Sequence, residues 1–297
     1  MQRHDDHDDD DDALALFSRE RRRVFGTAYR MLGSVSDAED IVQETWIRWQ
    51  AVDLHQVDEP AAYLTTIATR LSINLLQSAH SRRETYIGPW LPEPVNTEAD
   101  PSLGAETTEA LEMACLLLLE NLTPTERAAY VLREALDYPY ERIAEVVGSS
   151  TANARQLVSR ARKHLSARQR DAVPAAESRR LLEAFLVAAQ KGDVAELEQL
   201  FADDIVSYTD GNGVKLAARK PVVGRSRAAR FISAFSSHFW AGKSIGWVTV
   251  NGQPAATLSV DGEVTTVVTV TASPGGILQL LWVMSPDKLR HVSAVEA

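Results

Sequence analysis

The sequence predicts a multidomain chain: two all-α blocks followed by one α+β domain. Three observations predict it. Apolar residues recur at helical spacing across residues 13–86 and again across 111–170. After Pro174 that spacing gives way to short β-like runs punctuated by Gly and Asn turns. Between the helical blocks, residues 87–110 hold Pro89, Pro92, Pro94 and Pro101 with Gly88 and Gly104, the composition of a linker. The boundaries read as an acidic tail (1–12), a first helical block (13–86), a linker (87–110), a second helical block (111–170), a short linker (171–177) and the α+β domain (178–297).

A chain of 297 residues suits two or three domains, and 45% hydrophobic content supplies a core for each. The net charge of −10 is unevenly spread. Residues 1–12 hold seven Asp against one Arg, and residues 91–122 hold seven acidic residues and no Lys or Arg. Residues 123–170 are basic, with nine Lys and Arg against five acids. One basic module in an acidic chain fits a nucleic-acid contact confined to that module. The acidic run at the N-terminus repels itself and reads as a disordered tail. A single cysteine, Cys115, excludes an intrachain disulfide and suits a reducing cytoplasm. No His/Cys cluster suggests a metal site, no cofactor motif is present, and no apolar run reaches the ~18 residues of a membrane span. No secretion signal is evident at the N-terminus.

In the first block, Phe17, Val24, Ala28 and Met31 recur at helical spacing. Ser36 and Glu39 read as a capping box. Behind it, Ala38, Ile41, Val42, Thr45, Trp46 and Trp49 make one amphipathic face. Pro60 opens a further helix with the stripe Leu64, Ile67, Ala68, Leu71 and Leu75. The second block has its own capping box, Thr123 with Glu126, and Pro124 at the first helical position. In the α+β domain, Leu181, Leu182, Phe185, Leu186 and Ala189 predict a helix, and Asp193 caps another. Strands are predicted at 205–209, 245–250, 255–260, 264–271 and 277–284, with a helix over 226–239 among them.

Residues 137–165 have the pattern of a helix-turn-helix. Ile143, Ala144, Val146 and Val147 face inward on the first helix, and Gly148 turns the chain. Ser149, Ser150 or Thr151 caps the second helix, which buries Ala154, Leu157, Val158, Ala161 and Leu165. Its other face carries Asn153, Arg155, Gln156, Ser159, Arg160, Arg162 and Lys163. Arg, Asn and Gln have the donor geometry to read base edges, while Lys and further Arg hold phosphates.

These blocks, in this order, resemble the extracytoplasmic-function sigma factors of bacterial RNA polymerase. DAEDIVQETWIRW (37–49) looks like the region 2.2 helix, AAYLTTIATRLSINLLQ (61–77) like region 2.4, and LTPTERAAYVLREALDYPYERIAEVVG with the basic helix like region 4. The resemblance implies promoter-specific transcription initiation in the cytoplasm, with core RNA polymerase and promoter DNA as partners. Asp37, Glu39, Asp40, Gln43 and Glu44 would dock on the β′ clamp, and region 4 would meet the β flap. The loop 51–59, with Asp53, His55, Gln56 and Asp58, would face the −10 element. Arg70 and Asn74 would touch the duplex beside it, and the basic helix would read the −35 element. The chemistry belongs to the polymerase, so no metal, cofactor or catalytic residue is expected.

WLPEPV (90–95), YTDGNGVKLAARKPVVG (208–224) and SPDKL (285–289) narrow the resemblance to the subgroup with a SnoaL-like C-terminal extension, a cone-shaped α+β fold. Trp90, Leu91 and Pro92 are apolar and stiff in an acidic linker, so a partner surface is expected for them. The subgroup resemblance suggests Asp210, Gly211 and Gly213 together with Asp287, Lys288 and Leu289 as those partners, docking the extension on the sigma core. The sequence departs from the subgroup at Asn212, at Lys215 (displaced by one) and at Ser285. A second reading stays open: a helix-turn-helix protein fused to a ligand-sensing or enzymatic SnoaL-like domain, with an unknown small ligand and Asp210, His238 and Asp287 as its polar candidates.

Overall fold

The computed structural model describes residues 5–83, 86–97, 112–166 and 173–292. The acidic stretch 98–111 lies outside them. The chain forms two compact units. The first holds residues 1–83, 105–110 and 115–168; the second holds 84–104, 111–114 and 169–297. Most of the linker therefore belongs with the C-terminal domain.

The first unit is helical. Helix α1 spans Asp5–Leu32, α2 Val35–Trp49 and α3 Pro60–Arg83. The acidic run expected as a tail is helical from Asp5 onward; acidic groups in a first helical turn favour the N-terminal end of the macrodipole. The cap of α2 is Ser34, whose hydroxyl accepts the Asp37 N–H at 3.2 Å, rather than the expected Ser36. Gly33 at φ 66° reverses the chain just before it, which places the cap two residues earlier. The stripes pack as their spacing requires. Ala38, Ile41, Val42 and Trp49 of α2 are buried, as are Leu64, Ala68 and Leu71 of α3. The Trp49 indole donates to the Ala13 carbonyl at 2.9 Å, which satisfies the one polar atom of a fully buried ring.

Helices α4 (Met113–Leu119), α5 (Pro124–Glu134), α6 (Tyr140–Val147) and α7 (Thr151–Ser166) follow. Both halves of the Thr123–Glu126 capping box are present. Gly148 ends α6 at φ 67°, ψ 46°, a left-handed conformation that an L-residue adopts at a cost. Ala129, Leu132, Ile143, Ala144, Val146, Ala154, Leu157 and Val158 form the helix-turn-helix core. Within this unit Arg127 of α5 donates to the Met31 carbonyl at 2.6 Å and pairs with Glu120 at 2.7 Å. Burial pushes its guanidinium down to about 10.

In the second unit, α8 (Ala175–Lys191) and α9 (Val194–Leu200) lead into β1 (Phe201–Asp210). A two-residue strand β2 (Val222–Val223) was not foreseen. The helix expected over 226–239 breaks at Phe235 into α10 (Arg225–Ala234) and α11 (Ser236–Phe239). Strands β3 (Ser244–Val250), β4 (Gln253–Val260), β5 (Glu263–Ser273) and β6 (Gly276–Val283) follow, then the short α12 (Pro286–Leu289). The mixed sheet has the order β2-β1-β6-β5-β4-β3, with β1 parallel to β6 and the other pairs antiparallel. One face packs on α8, α9 and α10 through a core of Phe185, Phe201, Leu258, Val268, Leu280 and Trp282.

Ile143 is fully buried and Ser159 exposed on the next helix. Ile143→Ala should lower the stability of the helix-turn-helix by about 2–5 kcal/mol, while Ser159→Ala should shift it by less than about 0.5 kcal/mol. Thermal denaturation of the two variants checks this, and equal melting would contradict the packing described.

Candidate nucleic-acid interface and linker site

Helix α7 exists as an amphipathic rod because its small and branched residues fall on one side. Ala154, Leu157, Val158, Ala161 and Leu165 are buried, which turns the basic side outward. Ser150 caps it, accepting the Asn153 N–H at 3.2 Å. Arg155, Gln156, Ser159, Arg160, Arg162 and Lys163 are exposed, with Asn153 half-buried at the N-terminal turn. Three of the arginines meet acids of their own domain. Arg155 lies 3.5 Å from Glu141, Arg160 3.6 Å from Glu126, and Arg162 2.7 Å from Glu134. The Glu134 hydrogen bond pushes the Arg162 guanidinium up. The Arg155–Glu141 pair, exposed on both sides, contributes about 0–1 kcal/mol.

On α2, Asp40 and Gln43 are exposed, while Asp37, Glu39 and Glu44 are half-buried. Glu39 pairs with Arg21 at 2.6 Å and Glu44 with Arg48 at 3.0 Å. Ile47, not singled out from the sequence, stands 60% exposed on the same polar face. A helical period of 3.6 places it beside Asp40, Gln43 and Glu44, so its position off the apolar stripe was the signal. In the 51–59 loop, Asp53 accepts the His55 N–H at 3.1 Å and the Gln56 amide at 2.7 Å, closing a short helical turn over Leu54–Gln56. Asp58 and His55 remain exposed.

Arg70 and Asn74 are both exposed residues of α3. The Arg70 guanidinium donates to the carbonyls of Val146 at 3.1 Å and Glu145 at 2.8 Å. These are orphan acceptors at the C-terminal end of α6, where a cation is favoured. In this arrangement Arg70 ties the helix-turn-helix to α3.

The second unit contains the linker site. Asp210 ends β1 and has no exposed surface. Its backbone carbonyl accepts the N–H groups of Met284 at 2.7 Å and Ser285 at 3.0 Å, which ties the end of β1 to the entrance of α12. Its carboxylate faces Lys288 at 2.6 Å, accepts the Leu91 N–H at 2.7 Å, and accepts the Tyr86 hydroxyl. Lys288 also donates to the Leu91 carbonyl, and its ammonium lies 4.0 Å from the Trp90 ring centre. Leu91, Pro92 and Pro94 are buried. Desolvation, and then the hydrogen bond to Asp210, push the Tyr86 phenol far above its ordinary range.

Of the residues nominated from sequence, Trp90, Leu91, Pro92, Asp210 and Lys288 come together here. Leu289 is buried beside them in α12. Gly211 makes the turn possible, because a Cβ there would stand 2.2 Å from the Ala217 Cβ. Gly213 lies under Ile87, and Asn212 takes φ 41°, a conformation that Asn tolerates. Asp287 instead points outward to Arg290. Lys215, displaced from the subgroup pattern, is exposed.

A second contact was missed. Residues 95–97 run antiparallel to the edge of β3. Thr97 N–H donates to the Thr249 carbonyl at 3.0 Å, and Asn251 N–H to the Val95 carbonyl at 2.8 Å. The Asn251 side chain accepts the Val95 N–H at 3.0 Å. Tyr86, Thr97 and Asn251 carry no local periodic signal, since their partners lie more than 120 residues away.

The polar candidates for an enzymatic extension each have a partner within the second unit. His238 shares a hydrogen bond with Ser237 at 2.8 Å, and both oxygens of Asp210 hold linker groups. On the sheet face where the helices pack, Phe185, Phe239 and Trp240 surround Trp282 with centroids 5.6–6.4 Å away. The Trp282 indole donates to Ser207 at 3.1 Å.

Residues 16–82 match Sigma-70 region 2 and residues 113–165 match Sigma-70, region 4. The ECF RNA polymerase sigma factor SigJ of Mycobacterium tuberculosis is 35% identical over 289 residues, covering 93% of this chain and 92% of its own length. The chain belongs to the extracytoplasmic-function sigma factors. The crystal structure of SigJ aligns with this sigma factor at a TM-score of 0.76 and 32% identity, covering 94% of this chain and 98% of that one. The probable ECF sigma factor SigI of the same organism is 29% identical over 290 residues, covering 96% of this chain and 97% of its own length. These similarities run through the C-terminal mixed sheet, so the SnoaL-like extension is part of the likeness. The sigma factor works with core RNA polymerase and promoter DNA. Among its described residues, no helix is long and apolar enough to cross a membrane, and no group of His, Cys, Asp and Glu could hold a metal.

The linker site has a direct test. Removing one partner of a buried pair leaves the other charge uncompensated and costs about 3–5 kcal/mol. Asp210→Asn should therefore free the linker and raise the exposure of Trp90, read by acrylamide quenching with the other five tryptophans replaced. Tyr86→Phe removes only the hydrogen bond to the carboxylate, about 1.5–3 kcal/mol, and should act in the same direction more weakly. Unchanged quenching in both variants would contradict the arrangement.

Proposed function

We propose that this sigma factor reads both promoter elements and is regulated in cis by its extension, which grips the linker between regions 2 and 4. The observation that carries the reading is the closure of residues 86–97 over Asp210 and Lys288. A linker between two DNA-reading modules would otherwise leave their separation to a flexible chain. Tethering gives the contact a high effective concentration, and the prolines reduce the freedom lost on docking.

In this reading α2 docks on the β′ clamp of the core enzyme through Asp40, Gln43 and Glu44, with Ile47 as an apolar anchor among them. Region 4 meets the β flap. Helix α7 enters the major groove at the −35 element, with Arg155 and Arg160 nearest the turn-proximal bases. The 51–59 loop and Asn74 serve the −10 element, joined by Arg70 once it leaves the α6 carbonyls. The extension is a docking module, not an enzyme. Support comes from the engagement of Asp210 by the linker and from the rings that fill the space beside Trp282. Its place of work is the cytoplasm, with the polymerase.

Transcription in vitro with core polymerase tests this. Arg155→Ala and Arg160→Ala should each reduce specific initiation, by about 1–3 kcal/mol of discrimination where the contact is to a guanine edge. Asp40→Ala and Ile47→Ala should weaken assembly with core enzyme without changing the melting temperature by more than a few degrees. Deleting residues 178–297 should alter promoter output. Output and assembly that match wild type in every variant would overturn the proposal.

A further inference from the structure

The turn between α5 and α6 is pinned at several points. Asp137 takes φ 50°, a left-handed conformation that Asp tolerates better than most residues. The Tyr138 N–H donates to the Leu132 carbonyl at 3.0 Å, and Pro139 at φ −66° sets the direction in which α6 starts. Arg133, near the end of α5, donates to the Tyr138 carbonyl at 2.9 Å and pairs with Asp137 at 3.1 Å. Tyr140 is the first residue of α6, and its half-buried ring packs on the helix-turn-helix core. The backbone and the ring are both fixed by their surroundings.

Two guanidinium groups stand over that ring. The Arg133 guanidinium carbon lies 5.2 Å from its centre and the Arg155 carbon 5.4 Å. Asp137 balances the charge of Arg133, which the turn already holds. Arg155 differs. It rises from the exposed side of α7, and its Nη2 also reaches Glu141 at 3.5 Å, a distance at which hydrogen bonding is weak. The other two arginines of α7 turn to carboxylates. Arg162 gives both Nε, at 3.0 Å, and Nη2, at 2.7 Å, to Glu134, and Arg160 lies 3.6 Å from Glu126.

The difference matters for reading a base. An aromatic ring attracts a cation through its quadrupole and takes up none of the acceptors that the cation seeks. A carboxylate instead occupies the same planar donors that a guanine edge requires. An arginine held by a ring keeps those donors available, and it has less rotamer freedom to lose on binding. Resting on the reading that α7 reads the −35 element, we propose that Tyr140 is a specificity-determining residue for that element. It is a positioning residue: it holds the Arg155 guanidinium ready for a base edge and acts through Arg155, not through a contact of its own.

The experiment uses holoenzyme assembled from the full chain and core polymerase. Templates carry a randomised −35 element, and transcripts are read by sequencing. Arg155→Ala identifies the position that Arg155 reads, as the one where base preference is lost. Tyr140→Leu keeps an apolar side chain and removes the ring. It should lower the preference at that same position by about two- to fivefold and leave the other positions as in wild type. Tyr140→Phe keeps the ring, loses only the hydroxyl, and should retain the wild-type profile. In an Arg155→Ala background, Tyr140→Leu should change nothing further. A melting temperature for each variant reads any loss of fold separately. The proposal is overturned if Tyr140→Leu leaves the profile unchanged or lowers preference equally at every position. It is also overturned if Tyr140→Phe shows the same loss as Tyr140→Leu, or if the effect of Tyr140→Leu persists without Arg155. A profile that Arg155→Ala itself leaves unchanged would overturn the reading of α7 beneath the proposal, and the proposal with it.

Discussion

Asp210 is a carboxylate with no exposed surface, and the C-terminal unit is arranged around that fact. A buried anion is tolerated only when it is paired and its lone pairs are filled. The fold supplies Lys288 from α12, but the pair alone leaves acceptor positions open. The linker fills them, with the Leu91 N–H and the Tyr86 hydroxyl. Lys288 in turn needs acceptors, and the Leu91 carbonyl and the Trp90 ring face provide them. The charge pair and the docked segment thus complete each other. Neither the linker conformation nor the burial of Lys288 makes electrostatic sense without the other, which explains why residues 84–104 cluster with the extension and not with the helices they leave.

The basic face of α7 follows a different electrostatic logic. Its arginines reach from exposed positions to Glu141, Glu134 and the buried capping residue Glu126, and screening keeps the exposed Arg155–Glu141 pair weak. Arg70 is likewise a surface cation, held by the last carbonyls of α6. Strong buried pairing therefore governs the architecture of the extension, and weaker pairing near the surface marks the basic face of α7.

The interior of the extension is consistent with this division. The helix-packed sheet face is filled by Phe185, Phe201, Phe239, Trp240 and Trp282. Offset and edge-on ring contacts of this kind stabilise a packed core by about 0.5–1.5 kcal/mol each beyond their buried area. At the rim of the domain, β1, α12 and the β3–β4 turn hold the linker.

The sequence by itself determined whatever depends on residues a few positions apart. Helical periodicity placed the buried stripes of α2, α3 and α7, because side chains three and four apart share a face. The capping box at Thr123 and the turn at Gly148 were legible for the same reason. Alternation and turn residues located five of the six strands, and the two sigma blocks with their subgroup motifs named the family and pointed to Trp90, Asp210 and Lys288. Tertiary structure alone decided the rest. Gly33, not the local cap pattern, fixed Ser34 as the start of α2. The two residues of β2 are too few for any period to show. The strand-like pairing of 95–97 with β3, the Glu112–Gln253 bond and the diversion of Arg70 to α6 join residues 75 to more than 150 positions apart. Hydrogen bonds across such separations are satisfied by whichever surface the fold brings alongside, and no spacing rule within one sequence encodes that choice.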